Sequence, residues 1–223
     1  VIANIVFEKY QRKPNIIYNG VTLPSQNNKC NFLTQIGITP YKYILAVARF
    51  VPEKGLHDLI NSFKEIESDY KLVIAGDADH ETTYSKNLRK MAKEDDRIIL
   101  TGYITGEFLN QIYSHARLFV LPSYHEGLPI ALLEAMSYGL SVLVSDIPAS
   151  KEVGLPDDRY FRCGDTSDLK NKMEILLNKE LSEKERQAIR RQIEETYNWD
   201  KIAEQTIEVY KKVLGHRKQR KHY

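Results

Sequence analysis

Glu126 and Glu134 stand eight positions apart in the run HEGLPIALLEAM, residues 125–136, and what lies between them says what two carboxylates could hold. Gly127 and Pro129 put the first acid on a loop. Pro129 suits the first position of a helix, where its missing N–H would have no partner anyway, and Ile130 to Met136 supplies strong helix formers. The helix therefore starts between the two acids. Unpaired N–H groups at that start attract a phosphate, and Glu134 follows about 7 Å further along. That reach suits a nucleotide sugar: one carboxylate accepts hydrogen bonds from sugar hydroxyls, the other from ribose hydroxyls beyond the phosphates. Two acids at this spacing are common in helices, so the setting has to carry the reading. Residues 117–123 and 140–146 both read as short buried strands. In parallel α/β sheets the loops that leave the carboxyl ends of strands build the ligand crevice, which places Glu126 there.

Arg49 and Lys54 form a second cluster, on the turn between the apolar strand Ile44 to Val47 and a helix beginning near Gly55. Arg grips a phosphate with two N–H groups at once, and Lys adds a compact mobile charge. Together they could neutralise a diphosphate. Taken alone, the segment would pass for a solvated loop.

Read as a set, the motifs carry a resemblance. Arg49-Phe-Val-Pro-Glu-Lys54-Gly55, Gly76-Asp77, Thr101-Gly102-Tyr103, residues 122–129 (PSYHEGLP) and Glu134-Ala135-Met136 occur in that order. Together they resemble the carboxyl-terminal domain of family 4 glycosyltransferases, retaining enzymes of the GT-B fold. The likeness runs from about Asn15 to Val213. It includes Asn19-Gly20-Val21 near its start and a final helix around Trp199. The resemblance implies a Rossmann-like parallel sheet with helices on both faces. It gives Arg49 and Lys54 the donor diphosphate and the stabilisation of the leaving nucleotide, where electrostatics is the expected main term. It gives Glu126 the transferred sugar and Glu134 the ribose. Gly127, Leu128, Pro129 and Ile130 would contact the donor around the sugar and phosphates, and Gly102, Tyr103 and Ile104 would line the base.

The resemblance further implies transfer with retention by a front-face route, in which the leaving phosphate helps deprotonate the acceptor. Hydrolytic carboxylate pairs face one bond at about 5 to 9.5 Å, whereas these two would bind different ends of one donor. The donor would be a UDP- or GDP-sugar, with no cofactor and no metal in the chemical step. The acid-rich stretch Asp77 to Glu81 contains a single His and reads as a solvated turn rather than a metal site. Saccharide and lipid-linked acceptors are both compatible, bound largely by a domain that precedes this one. Ser145 to Glu152 leans toward bacterial envelope-polysaccharide members. A competing reading keeps the fold without the chemistry, as a nucleotide-binding or interaction module. A nicotinamide-dependent oxidoreductase is disfavoured because no GxGxxG follows any strand.

Positioning these residues requires alternating elements. The periodicity predicts strands at 44–48, 71–75, 98–101, 118–121 and 141–144. It predicts helices at 55–67, 83–95, 106–115, 129–138 and 165–178. Ser182 with Glu185 reads as a capping box opening a helix to about Tyr197, followed by another from Trp199 to about Leu214. The expected layout is 1–14 as the end of a preceding domain or a linker, 15–197 as the nucleotide-sugar domain, 198–215 as a terminal helix and 216–223 as a basic tail. Val1 to Tyr10 reads as the last strand and helix of that preceding domain, so the 223 residues are expected to be one part of a two-domain enzyme.

Composition sets the remaining bounds. A hydrophobic fraction of 42% supports an ordinary core, and a net charge of +2 argues against a dedicated nucleic-acid protein. Arg217, Lys218, Arg220 and Lys221 crowd the end. Such a cluster either trails in solvent or holds an anionic membrane at about 1 kcal/mol per charge. With no long apolar segment and no signal peptide, the chain is expected to be soluble and cytoplasmic, with at most peripheral membrane contact. Cys30 and Cys163 lack metal-ligand company and are expected reduced. His125 either orients the Glu126 loop or faces solvent.

Overall fold

The computed structural model describes residues 2–24 and 29–219, with side chains for 3–24 and 29–214. Among the described residues six strands form one parallel sheet: β1 (Tyr43–Val47), β2 (Lys71–Ala75), β3 (Ile98–Gly102), β4 (Leu118–Leu121), β5 (Val142–Ser145) and β6 (Tyr160–Phe161). Their order is β3-β2-β1-β4-β5-β6. The strands YILAV, LFVL and VLVS are nearly continuous apolar runs because both faces of the sheet are covered.

Alternation along each strand sorts the side chains into two cores. Tyr43, Leu45, Phe119 and Val144 point to one face, under α2 (Asn31–Gln35), α5 (Gly106–Ser114), α6 (Ile130–Ser137) and α9 (Glu183–Thr196). Ile44, Leu72, Val120 and Leu143 point to the other, under α3 (Leu56–Lys64), α4 (Thr83–Ala92) and α8 (Thr166–Asn178). The predicted alternation of strands and helices is therefore present, with β2 and β4 at their expected bounds. The Ser182–Glu185 capping box opens α9, and α10 runs from Trp199 to Gln219. Helix α10 passes through Arg217 and Lys218, while Arg220, Lys221 and the side chains of all four tail cations lie outside the described residues. Among the described residues no helix is long and apolar enough to cross a membrane.

Several expectations are corrected. Residues 2–10 form one helix, α1 (Ile2–Tyr10), and no strand precedes it among the described residues. A helix satisfies its own N–H and C=O groups, whereas a strand needs a neighbour to pair with. The helix expected over 55–67 is the shorter α3, ending at Lys64, and a 3-10 turn at Pro52–Lys54 precedes it. Pro129 caps α6 instead of beginning it: its carbonyl accepts from Leu132 and Leu133 at 3.0 and 3.2 Å, and Ile130 donates to Leu128 at 2.9 Å. The helix start therefore offers a narrower anion seat than a fresh helix end would. Short elements that periodicity did not reveal are α2, α7 (Pro148–Lys151), β6 and a 3-10 turn at Asp157–Arg159.

The Asn19-Gly20-Val21 stretch closes the domain's edge. Val21 donates to Tyr197 O at 2.8 Å, and a Cβ on Gly20 would stand 2.6 Å from the Trp199 ring. Any larger residue there would push the segment off the junction between α9 and α10.

Candidate active site

Sheet order reverses direction between β1 and β4, the neighbours from which the chain runs outward both ways. Loops leaving two such strands diverge and open a crevice at their carboxyl ends. One of them, 48–55 after β1, carries Arg49 and Lys54. The other, 122–129 after β4, carries Glu126.

Lys54 and Glu126 meet in that crevice. Lys54 Nζ lies 2.7 Å from Glu126 Oε1, and the Ser123 hydroxyl donates to the same oxygen at 2.7 Å. The two charged side chains are only 18% and 9% exposed, so they face each other with little water between them. Gly55 makes the approach possible. Its φ of 61° is left-handed, and a Cβ there would fall 2.1 Å from Pro122 O. The backbones of the two loops touch at this point, directly beside Lys54.

Arg49 is placed differently. It reaches Asp79 on the loop after β2 at 3.0 Å, with both side chains well exposed, 60% and 67%. The structure thus brings Lys54 to Glu126 and holds Arg49 at the outer edge. The acids of the 77–81 stretch each have a cation: Asp77 pairs with Arg89, Asp79 with Arg49 and Glu81 with Lys86. Among the described residues no group of three or more metal-ligating side chains is assembled.

Glu134 sits within α6 and accepts the Tyr113 hydroxyl from α5 at 3.1 Å. The Tyr113 ring stacks on Tyr138 with centroids 5.2 Å apart, and Tyr138 donates to Asn110 at 2.7 Å. Burial raises the Glu134 carboxyl above the ordinary glutamate range, and the Tyr113 hydroxyl partly offsets this. Burial, then the Glu134 charge, pushes Tyr138 up to about 12. Sequence reading missed both tyrosines, which are two among the chain's 14 and bear no local mark of their role.

A raised carboxyl binds its proton more tightly folded than unfolded. Its contribution to stability is whole below the ordinary glutamate range and is lost as pH rises through the raised folded value. Glu134→Gln removes that loss and keeps an acceptor for Tyr113. The variant is expected to melt higher than the parent near pH 7 and level with it near pH 4, read from thermal melts across that range.

Gly102, Tyr103 and Ile104 leave β3 together. Tyr103 is 81% exposed, and Ile104 packs partly buried against the α5 and α6 core. Gly127 is exposed, Leu128 and Ile130 are half-buried and Pro129 is buried. His125 faces solvent. Neither cysteine is in a disulfide. A separate cavity of about 360 Å³ opens beside β3, lined by Phe50, Asp77, Arg89, Lys93 and Leu100 among others. Gly102 also lines it, whereas Lys54 and both glutamates do not.

A family model described as "Glycosyl transferases group 1" matches residues 33–196. The chain is 29% identical to an uncharacterised glycosyltransferase of Methanocaldococcus jannaschii, over 92% of this chain and 56% of that protein. It is 32% identical to the O-antigen chain mannosyltransferase RfbU of Salmonella typhimurium, over 63% of this chain and 38% of that protein. In fold it is similar to sucrose-phosphate synthase from Thermosynechococcus elongatus, with a TM-score of 0.81 at 22% identity over 96% of this chain and 56% of that one. HepE of Anabaena, solved in complex with UDP, gives 0.78 at 19% identity over 89% and 57%. The chain spans little more than half the length of these proteins, or less.

Proposed function

This chain belongs to the group 1 glycosyl transferases, and from that premise we propose that it is the donor-binding half of an enzyme that moves a sugar, with retention, from a nucleoside diphosphate sugar. UDP and GDP are the candidate nucleotides. The acceptor is a saccharide or a lipid-linked glycan, held by a domain beyond this chain, in the synthesis of a cell-envelope polysaccharide. The O-antigen relatives support the envelope setting. The tail cations at 217–221 suit an acceptor presented at an anionic membrane surface.

The observation that carries the reading is the shielded Lys54–Glu126 pair at the reversal of strand order, with Glu134 further along the same helix and loop unit. An arriving diphosphate competes with Glu126 for the Lys54 ammonium. The released carboxylate then accepts hydroxyls of the sugar. Arg49, already at the rim, swings from Asp79 to the phosphates, and Glu134 takes the ribose. As the acceptor oxygen attacks the anomeric carbon, the sugar–phosphate bond breaks on the same face. The leaving phosphate oxygen takes the acceptor's proton, and the new negative charge falls on Lys54 and Arg49. These two cations fill the role a metal would take, so the reading calls for none in the transfer step.

Calorimetric titration of the 223-residue chain with UDP, GDP and their sugar conjugates tests this. Saturable binding of one nucleotide is expected, weakened about 100-fold in a folded Arg49→Ala/Lys54→Ala variant through two lost charge-assisted contacts. A folded chain that binds neither nucleotide at millimolar concentration, or a variant that binds as well as the parent, would overturn the proposal.

A further inference from the structure

Tyr124 stands two residues ahead of Glu126 and holds the Lys54 segment at both ends. Its backbone N–H donates to the carbonyl of Glu53 at 2.8 Å, immediately before Lys54. Its hydroxyl donates to Asp58 Oδ2 at 2.5 Å, in the first turn of α3, and His57 Nε2 lies 3.1 Å from the same hydroxyl oxygen. The other ring nitrogen of His57 is 3.1 Å from the Tyr84 hydroxyl on α4. Lys54 therefore sits inside the six-residue span 53–58, which one residue of the opposite loop holds before Lys54 by its backbone and after it by its side chain.

Each member of the clamp suits its place. A phenol bonded to a carboxylate makes a short, charge-assisted contact. Asp58 lies where the positive end of the α3 dipole favours an anion. Tyr84 meets the His57 ring edge-on at 5.6 Å, which fixes the imidazole beside Tyr124. Tyr124 as a whole is 37% exposed, so its packing is modest beside its bonding. The loop has a tight contact of its own where Gly55 meets Pro122. That contact fixes the turn at Gly55, and the two Tyr124 bonds fix it on either side of Lys54.

We infer that Tyr124 is a positioning residue whose hydroxyl, through Asp58, fixes the separation of Lys54 and Glu126 that a donor's phosphate and sugar must match. The inference rests on the proposed reading of that pair as the sugar–phosphate site. Positioning of this kind affects a ligand that must reach both groups more than one that needs only the cation.

The test uses Tyr124→Phe, which deletes one oxygen and keeps the ring, beside Asp58→Ala and Asp58→Asn, the last of which keeps a carbonyl acceptor. Two quantities are read. The first, without ligand, is the NMR signal of the Lys54 ammonium and its exchange with water. The second is the affinity for the preferred nucleotide sugar divided by that for the bare nucleoside diphosphate. Tyr124→Phe and Asp58→Ala are expected to speed ammonium exchange and lower the affinity ratio about fivefold, with melting points within about 2 °C of the parent. Asp58→Asn is expected to restore most of both. An unchanged ammonium signal with an unchanged ratio would overturn the inference. So would an equal loss for both ligands accompanied by a lower melting point, which would mark Tyr124 as loop packing alone. If the parent chain binds no nucleotide, the proposed function fails, and the ammonium signal by itself decides the role of Tyr124.

Discussion

Lys54→Ala is expected to cost about 2 to 3 kcal/mol of folding stability, and Arg49→Ala less than about 0.5 kcal/mol, although both are expected to weaken nucleotide binding. The difference lies in what each cation leaves behind. Lys54 and Glu126 are largely withdrawn from water, so removing the ammonium strands a shielded carboxylate whose remaining partner among the described residues is the Ser123 hydroxyl. Asp79, left by Arg49, is exposed and regains water at once. Adding Glu126→Gln to Lys54→Ala should recover most of the loss, because the stranded charge disappears while the amide oxygen still accepts from Ser123. Urea unfolding of the two single variants and the double variant reads this directly. Equal losses for the Lys54 and Arg49 variants, or no recovery in the double, would show that Glu126 does not depend on Lys54.

Gly55→Ala is expected to cost more than about 3 kcal/mol and to abolish nucleotide binding with it. Two penalties combine. A left-handed φ charges any L side chain about 1 kcal/mol, and the added methyl would have to occupy space 2.1 Å from Pro122 O. Backbone cannot yield as the tip of a side chain can, so the turn after β1 must lift away from the loop after β4, taking Lys54 with it. Gly154 separates the two penalties. Its φ of 75° is equally left-handed, but nothing lies within 4 Å of the Cβ position. Gly154→Ala should therefore cost only about 1 kcal/mol, and denaturant unfolding of both variants gives the contrast. Equal costs would remove the close approach from the explanation.

Legibility followed the range of the interactions. Strands such as KLVIA and LFVL announce themselves because burial on both faces demands uninterrupted apolar residues. The Ser182 cap was equally plain, since its partner Glu185 is three residues away. Helix α2 and strand β6 were missed because five and two residues are too few to show a period. Strand order has no local signature at all: nothing in Tyr43 to Val47 says that its neighbours are Lys71 to Ala75 on one side and Leu118 onward on the other. The same limit applies to the crevice. Lys54 and Glu126 each stand out within their own motif, but their bond joins positions 72 apart. Tyr124 stands in the sequence only as one letter of its motif, and Asp58 and Tyr113 bear no mark, because what distinguishes each of them is its partner across the fold.

The reversal of strand order between β1 and β4 also shapes how the chain reaches this structure. Every other pair of neighbouring strands is joined by a single helical crossover, whereas Ile44 meets Leu118 only after β2 and β3 have been laid down between them in sequence. Loop-closure entropy therefore weighs most heavily on the one pairing that creates the cleft. Until it forms, the edges of β1 and β4 are apolar and unpaired, the state in which a folding chain is most open to association with its own copies.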